Sequence, residues 1–437
     1  MKAKQSIYAI VLGAMLTGCS LEQNPISDAT ELTEGVLTEE TSAVLKDRQA
    51  AINQRTNLYE KLKNRQEHWS LDMLLVAEAH SDNAYAGTTG AEVVPYETNS
   101  IDGSNTVIER DWDRYLEDIA QANVLINGLE ELMAQGKVSS AEGRQWQAEG
   151  RLFRAIVMFD MSRLWGSFPV ITDIAKTITS DNVEEVYPTY FPPKKTTQEC
   201  YAQIISDLEF AVSNAPDFAT GDRTVLSKTV ALAMLAKVYA EKPMQDYNKV
   251  ISYAQQVRAT AGLQLEPDFA TLWGYDETAK DCVKRNTSEG ILEVHYTTGN
   301  GNWETWMYGR QLDDWDFYFT WAKWITPSRD LISDFEKEGD EVRFAESVVY
   351  YECTWSNYYP AAHYPFMYKC RSSYQNRYKL RLADIMLLQA EAYAHLGQNG
   401  EAASVVNEIR NRVGLAPVDA SGDMIEKVRH ERRLELA

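Results

Sequence analysis

Paired runs of helical periodicity constrain this chain more than any other feature. Residues 144–165 carry Leu152, Phe153, Ile156 and Phe159 on a shared face, then Gly166 as a stop and Pro169 beyond it. Residues 43–66 and 109–134 read as helices too, the second opened by the acidic Glu109 and Asp111 that suit a helix N-terminus. The pattern returns at 197–214, 226–241 and 246–260, with Pro243 as the break between the last two. It closes with 380–396 and 400–412 around Gly397, and with 423–437. Helices in antiparallel pairs bury one stripe each, so the chain predicts a mostly α fold of packed hairpins.

Small and aromatic residues refine this. Ala390, Tyr393, Gly397 and Ala402 stand 0, 3, 7 and 12 positions along the last pair. Tetratricopeptide repeats use these offsets where two helices cross closely. Ala236 and Tyr239 start the same pattern, but Pro243 holds the glycine place. The residues therefore support helical hairpins rather than a regular solenoid.

Between 262 and 378 the texture changes. Ile291–Tyr296 alternates as a strand would, and only 328–337 looks helical. Residues 303–324 hold nine aromatics: Trp303, Trp306, Tyr308, Trp315, Phe317, Tyr318, Phe319, Trp321 and Trp324, against 11% aromatics in the whole chain. A second cluster runs from Tyr350 to Tyr378. Trp and Tyr pair a flat apolar face with a hydrogen-bonding edge. A pyranose pairs an apolar face with a polar rim, and Asn300, Asn302, Arg310 and Gln311 lie among the rings to satisfy hydroxyls. Any single ring is more readily a core residue of a loop-rich lobe. So polar a segment leaves at least two or three of its rings outside.

The first residues set the compartment. Lys2 and Lys4 precede a ten-residue apolar run, Ile7–Leu16, too short to span a bilayer and suited to a signal sequence. Leu16-Thr17-Gly18-Cys19 follows, which resembles a bacterial lipobox and implies cleavage before Cys19 and lipid attachment there. The net charge is −21, which disfavours nucleic acid and anionic lipid headgroups. Such a body stays at a membrane only through its acyl chains. The expected layout is a signal peptide (1–18), a lipid-anchored tether (19–42), a helical scaffold (43–261), an aromatic loop-rich lobe with short strands (262–378) and a return to the scaffold (379–437).

Enzyme motifs are absent. There is no GxSxG, HExxH or GxxxxGK[ST], and Gly299-x-Gly301 does not continue into a dinucleotide fingerprint. Asp313, Asp314 and Asp316 read as a solvated loop rather than a glycosidase pair. Arg381 and Asp384, three apart, are expected to pair and fix helix register. Cys200, Cys282, Cys353 and Cys370 show no CxxC spacing and are expected to be mostly free, although Cys353 and Cys370 flank one aromatic loop.

Five blocks together resemble the SusD/RagB family of Bacteroidetes outer-membrane lipoproteins. Ala148-Glu-Gly-Arg-Leu-Phe-Arg-Ala155, running through Trp165-Gly166 to Phe168-Pro169, is similar to that family's "E-x-R-F-L-R-A…L-x-G-x-P" helix. Tyr201–Leu208 with Ala211, and Thr229–Tyr239, resemble the next two helices. Leu380–Leu388 through Glu391-Ala392 is similar to "L-R-L-A-D-x-L-L-x-x-A-E-A", and Glu431–Ala437 to the start of "E-R-R-x-E-L-A-F-E-G-x-R". The resemblance implies a tetratricopeptide-like scaffold with an irregular second lobe. It implies a surface-exposed lipoprotein, anchored in the outer membrane through Cys19, that hands glycan to a SusC-like TonB-dependent transporter. No catalysis, cofactor or metal is implied. The family's ligand loops map here to Asn83, Tyr85 and Tyr96 and to Trp303, Trp306, Tyr308, Arg310, Trp315 and Tyr318. The alternatives are a peptide-capturing lipoprotein, or a scaffold that binds only protein. Members usually continue past the point matched by Ala437, so the resemblance implies either a truncated product or an incomplete gene model, with a last helix that ends without a cap.

Overall fold

The computed structural model describes residues 45–64, 67–87, 90, 92–297, 300–309, 323–355 and 357–437. The signal sequence, Cys19 and most of the tether lie outside them, as do Arg310, Trp315 and Tyr318.

The mostly α scaffold forms from the helical runs. Its helices are α1 (Arg48–Asn64), α2 (Asp72–His80), α3 (Thr106–Ala134), α4 (Ser140–Trp165), α5 (Thr197–Asn214), α6 (Lys228–Ala240) and α7 (Tyr247–Arg258). After the strand-bearing region come α8 (Arg329–Glu338), α9 (Glu341–Ser347), α10 (Leu382–His395), α11 (Asn399–Arg412) and α12 (Met424–Leu436). Caps account for several boundaries. Thr196 and Glu199 form a reciprocal capping box at the start of α5. Gly166 and Gly397 take positive φ after α4 and α10, a backbone that only glycine adopts without strain. The α3–α4, α4–α5, α6–α7 and α10–α11 neighbours pack around one large apolar core. Ala390 and Ala402 are fully buried where α10 crosses α11, as their spacing requires.

The start of α3 differs from expectation. Asn105 caps it and accepts from Val107 N, so Asp111 lies a turn further in. Asp111 is buried beside Arg110 and Asp72 instead of facing solvent.

Among the described residues the strands are short and pair as four antiparallel two-stranded ladders. They are β1 (Ala84–Ala86) with β5 (Ile325–Pro327), β2 (Tyr275–Asp276) with β3 (Asp281–Cys282), β4 (Gly290–Val294) with β8 (Arg377–Arg381), and β6 (Val348–Tyr351) with β7 (Tyr364–Met367). Ile291 and Leu292 of β4 enter the helical core, so that ladder is sewn to the scaffold. A second core gathers Leu71, Leu75, Ala84, Ala86, Tyr96 and Val107 with Met307, Tyr308 and Ile325. Residues 71–86 and 96–107 thus fold onto the aromatic region, 200 or more positions away. Lys176–Val186 belongs to a separate compact unit; within it, Asn182 binds Thr177 O and Thr179 N and starts the single turn Val183–Val186.

The two charges expected to pair, Arg381 and Asp384, do not. Arg381 binds Glu289 at 2.8 Å and Glu435 at 2.5 Å, while Asp384 binds Lys237 at 2.5 Å and Arg432 at 2.9 Å. Arg381 ends β8 rather than beginning a helical turn, so three-residue spacing does not bring it to Asp384. The end of α12 is also capped, contrary to expectation. Arg381 donates to Glu435 O at 2.6 Å, and the Lys369 ammonium donates to Glu435 O and Ala437 O. Cys200, Cys282, Cys353 and Cys370 are free.

Candidate functional site

The candidate site begins at the end of α2. That helix is tied down at its start: Trp69 Nε1 donates to Asp118 at 3.0 Å, and Tyr115 OH donates to His68 O at 2.7 Å. The chain then turns through Ser81–Asn83 into β1. There the side chains alternate, with Ala84 and Ala86 buried and Tyr85 facing out.

Tyr85 does not stand alone. Its ring lies 4.7 Å from that of Tyr358 at 32° and 6.3 Å from that of Tyr359 at 39°. These tyrosines come from the β6–β7 connection, where Tyr358 takes φ +57°. Asn357 holds the connection by donating to Ala86 O at 3.0 Å, and Tyr359 OH donates to Pro327 O at 2.8 Å. The Arg329 guanidinium lies 4.6 Å over Tyr359 and donates to Tyr358 O. Tyr358 OH donates to the Glu97 carboxylate at 2.9 Å, and Glu97 also accepts from Ala86 N at 2.7 Å. Burial, then Glu97, push the Tyr358 phenol up to about 12, so it stays a donor. Tyr358 is 43% exposed. The result is a platform of three phenol rings with a charged edge. Beside it opens a cleft of about 470 Å³ lined by His80, Ser81, Asp82, Tyr85, Glu97 and Asp330.

A second pair of rings stands nearby in the ladder network. Trp303 stands at the start of the single turn Glu304–Met307 and Trp306 lies within it, and spacing of three places them on one side. They are 46% and 41% exposed. Asn302 fixes this turn, accepting from Thr305 N at 3.1 Å and donating to Ser372 O at 2.9 Å. Trp324 N donates to Met307 O and Gly87 N donates to Trp324 O, so the turn is joined through residue 324 to the end of β1.

Of the residues singled out from sequence, the structure brings Tyr85, Trp303 and Trp306 to the surface. Three others need correction. Tyr308 is fully buried and donates its hydroxyl to Leu71 O, because its turn is pressed into the second core. Tyr96 is 1% exposed and packs its ring against His80. Neither can stack on a ligand. Asn83 spends its amide internally, donating to Glu78 at 3.0 Å and accepting from Arg433 Nε at 2.8 Å, so it shapes the loop rather than offering contacts. Sequence reasoning missed Tyr358, Tyr359, Arg329 and Glu97. The adjacent Tyr358-Tyr359 between two strand-like runs was the available signal.

Comparison with known proteins bears on these loops. A family model described as "Starch-binding associating with outer membrane" matches residues 33–240, and one described as "SusD family" matches residues 367–437. A SusD-like protein of Bacteroides ovatus is 25% identical over 230 residues, which cover 51% of this chain and 38% of that relative. SusD-like protein P38 of Formosa agariphila is 23% identical over 365 residues, 74% of this chain and 69% of that protein. The fold superposes on a laminarin-binding SusD-like protein with a TM-score of 0.71 at 22% identity, covering 90% and 89% of the two chains. It superposes on a SusD homologue from Bacteroides thetaiotaomicron with a TM-score of 0.73 at 19% identity, covering 92% and 86%.

Proposed function

The chain belongs to the SusD/RagB family, and on that footing we propose that it captures glycan at the outer membrane without cleaving it. The observation that carries the reading is the surface platform of Tyr85, Tyr358 and Tyr359, with Trp303 and Trp306 on an adjoining turn. Flat rings bury the apolar face of a sugar. Covering about 50 Å² of ring and sugar surface contributes about 1 kcal/mol. Neighbouring acceptors on Glu97 and Asp82 take hydroxyl donors. A ligand is thus held by several weak contacts, as suits a protein that must release its cargo.

The same proposal extends to anchorage and delivery. Leu16-Thr17-Gly18-Cys19 supports lipid attachment at Cys19. Among the described residues no helix is long and apolar enough to cross a membrane. The cargo would pass to a SusC-like TonB-dependent transporter, with no cofactor. The test is affinity electrophoresis of the whole chain through gels holding starch, laminarin or mannan. Reducing-sugar release and co-purification with the transporter are measured in parallel. Retention without sugar release supports the reading. Free migration in every gel, or release of reducing ends, overturns it.

A further inference from the structure

We propose that the tyrosine platform selects uncharged glycans and rejects uronate- or sulfate-bearing ones. This rests on the glycan reading above and adds the chemical class of the ligand. The argument is the charge balance of the cleft beside Tyr85. Three carboxylates line it: Asp82, Glu97 and Asp330. Glu97 is held by two neutral donors, Ala86 N–H and Tyr358 O–H, so those bonds orient its charge without cancelling it. Asp82 lies exposed at the mouth.

Two guanidiniums stand at hand, Arg433 and Arg329, fewer than the carboxylates. Arg433 is spread over Asp330 at 2.8 Å, Asp334 at 2.5 Å, Asn83 at 2.8 Å and Asp82 O at 3.0 Å. Arg329 lies against the faces of Tyr359 and Tyr85 and donates to Tyr358 O, all neutral partners, so its charge stands at the platform and offsets one carboxylate. An anionic sugar lying on Tyr85 and Tyr358 therefore meets a cleft whose carboxylates, Asp82, Glu97 and Asp330, outnumber the guanidiniums of Arg329 and Arg433. A neutral sugar meets the same carboxylates as acceptors for its hydroxyls, the stronger kind of hydrogen bond. The acidity that repels one class grips the other.

The test uses matched ligands. Laminarin, starch and mannan are each compared with their own carboxymethyl derivatives, by affinity electrophoresis of the whole chain at low salt. The charged derivative should be retained about tenfold more weakly than its parent, the scale for unit charges about 10 Å apart at an effective dielectric of about 20. At about 0.5 M salt the gap should narrow, because the exposed charges are screened. Asp82→Asn and Glu97→Gln should narrow it at low salt, Asp82→Asn with no change in unfolding temperature. Equal or stronger retention of the carboxymethyl form, with the parent also retained, overturns the selectivity and leaves glycan binding standing. Retention of neither form overturns both.

Discussion

Glutamate 435 is the residue on which the scaffold's last helix turns, and removing its charge should be costly. Its fully buried carboxylate faces Arg381 at 2.5 Å, Arg412 at 2.5 Å and Arg343 at 3.1 Å. Glu289 closes the ring, binding Arg381 at 2.8 Å and Arg412 at 2.6 Å. Glu435→Gln keeps the shape and deletes one charge, leaving three buried guanidiniums to share Glu289, Glu431 and Asp340. Breaking a buried pair from one side costs about 3–5 kcal/mol. At about 2 °C per kcal/mol for a large chain, the unfolding temperature should fall by about 6–10 °C. Glu142, paired with Arg48 on an open surface, provides the control, and Glu142→Gln should leave the urea midpoint nearly unchanged. The pH behaviour adds a sign. Against the cost of burial, Arg381 and Arg412 hold the Glu435 carboxyl well below the usual range. Its stabilisation is therefore present above the ordinary glutamate pKa and is lost as the solution is acidified. Glu435→Gln should remove that loss. Urea unfolding at pH 7 and pH 4 measures both effects. A urea midpoint at pH 7 shifted no more than that of Glu142→Gln would refute the hub.

Other outcomes follow from the same geometry. Burial, then Asp72, push the Asp111 carboxyl up to about 9, so the neutral form is favoured on folding. Stability should fall as pH rises from 5 to 9, by at most about 1.4 kcal/mol per pH unit from this pair. Asp111→Asn should flatten that slope, and parallel urea midpoints for the two proteins would contradict it. A Cβ on Gly309 would collide with the backbone carbonyl of Cys370, whereas one on Gly103 would meet nothing within 4 Å. Gly309→Ala should therefore cost about 1–3 kcal/mol or more, and Gly103→Ala less than about 0.5. Equal urea midpoints for these two would show that the 309 turn is not pressed against residue 370. Arg433→Met should release the Asp82–Asn83 loop and weaken glycan retention while the helical circular dichroism stays unchanged; full retention would remove Arg433 from the account.

The sequence carried the scaffold far better than the site, for physical reasons. Helices declare themselves over 12 or more residues through periodicity and caps, and 197–214 appears in the structure with those same ends. Ion partners do not declare themselves. Arg381 lies three positions from Asp384 yet bonds to Glu435, because the strand-to-helix junction turns it away. The aromatic loops were legible as composition but not as placement. Tyr308 and Trp306 are two residues apart on one short turn, and the turn alone decides that one is buried and the other exposed. Tyr85 and Tyr358 meet across 273 positions through β1 and the β6–β7 connection, a pairing that no local pattern encodes.

The most direct measurement is retention of one neutral polysaccharide by the whole chain beside a Tyr85→Ala/Tyr358→Ala/Trp303→Ala/Trp306→Ala variant. Each lost stacking contact of about 1 kcal/mol weakens binding about fivefold, so the variant should migrate almost as if no polysaccharide were present. Its unfolding transition should remain cooperative, since all four rings lie outside the main helical core. A folded variant retained as strongly as the parent chain would contradict the claim that these rings hold the sugar.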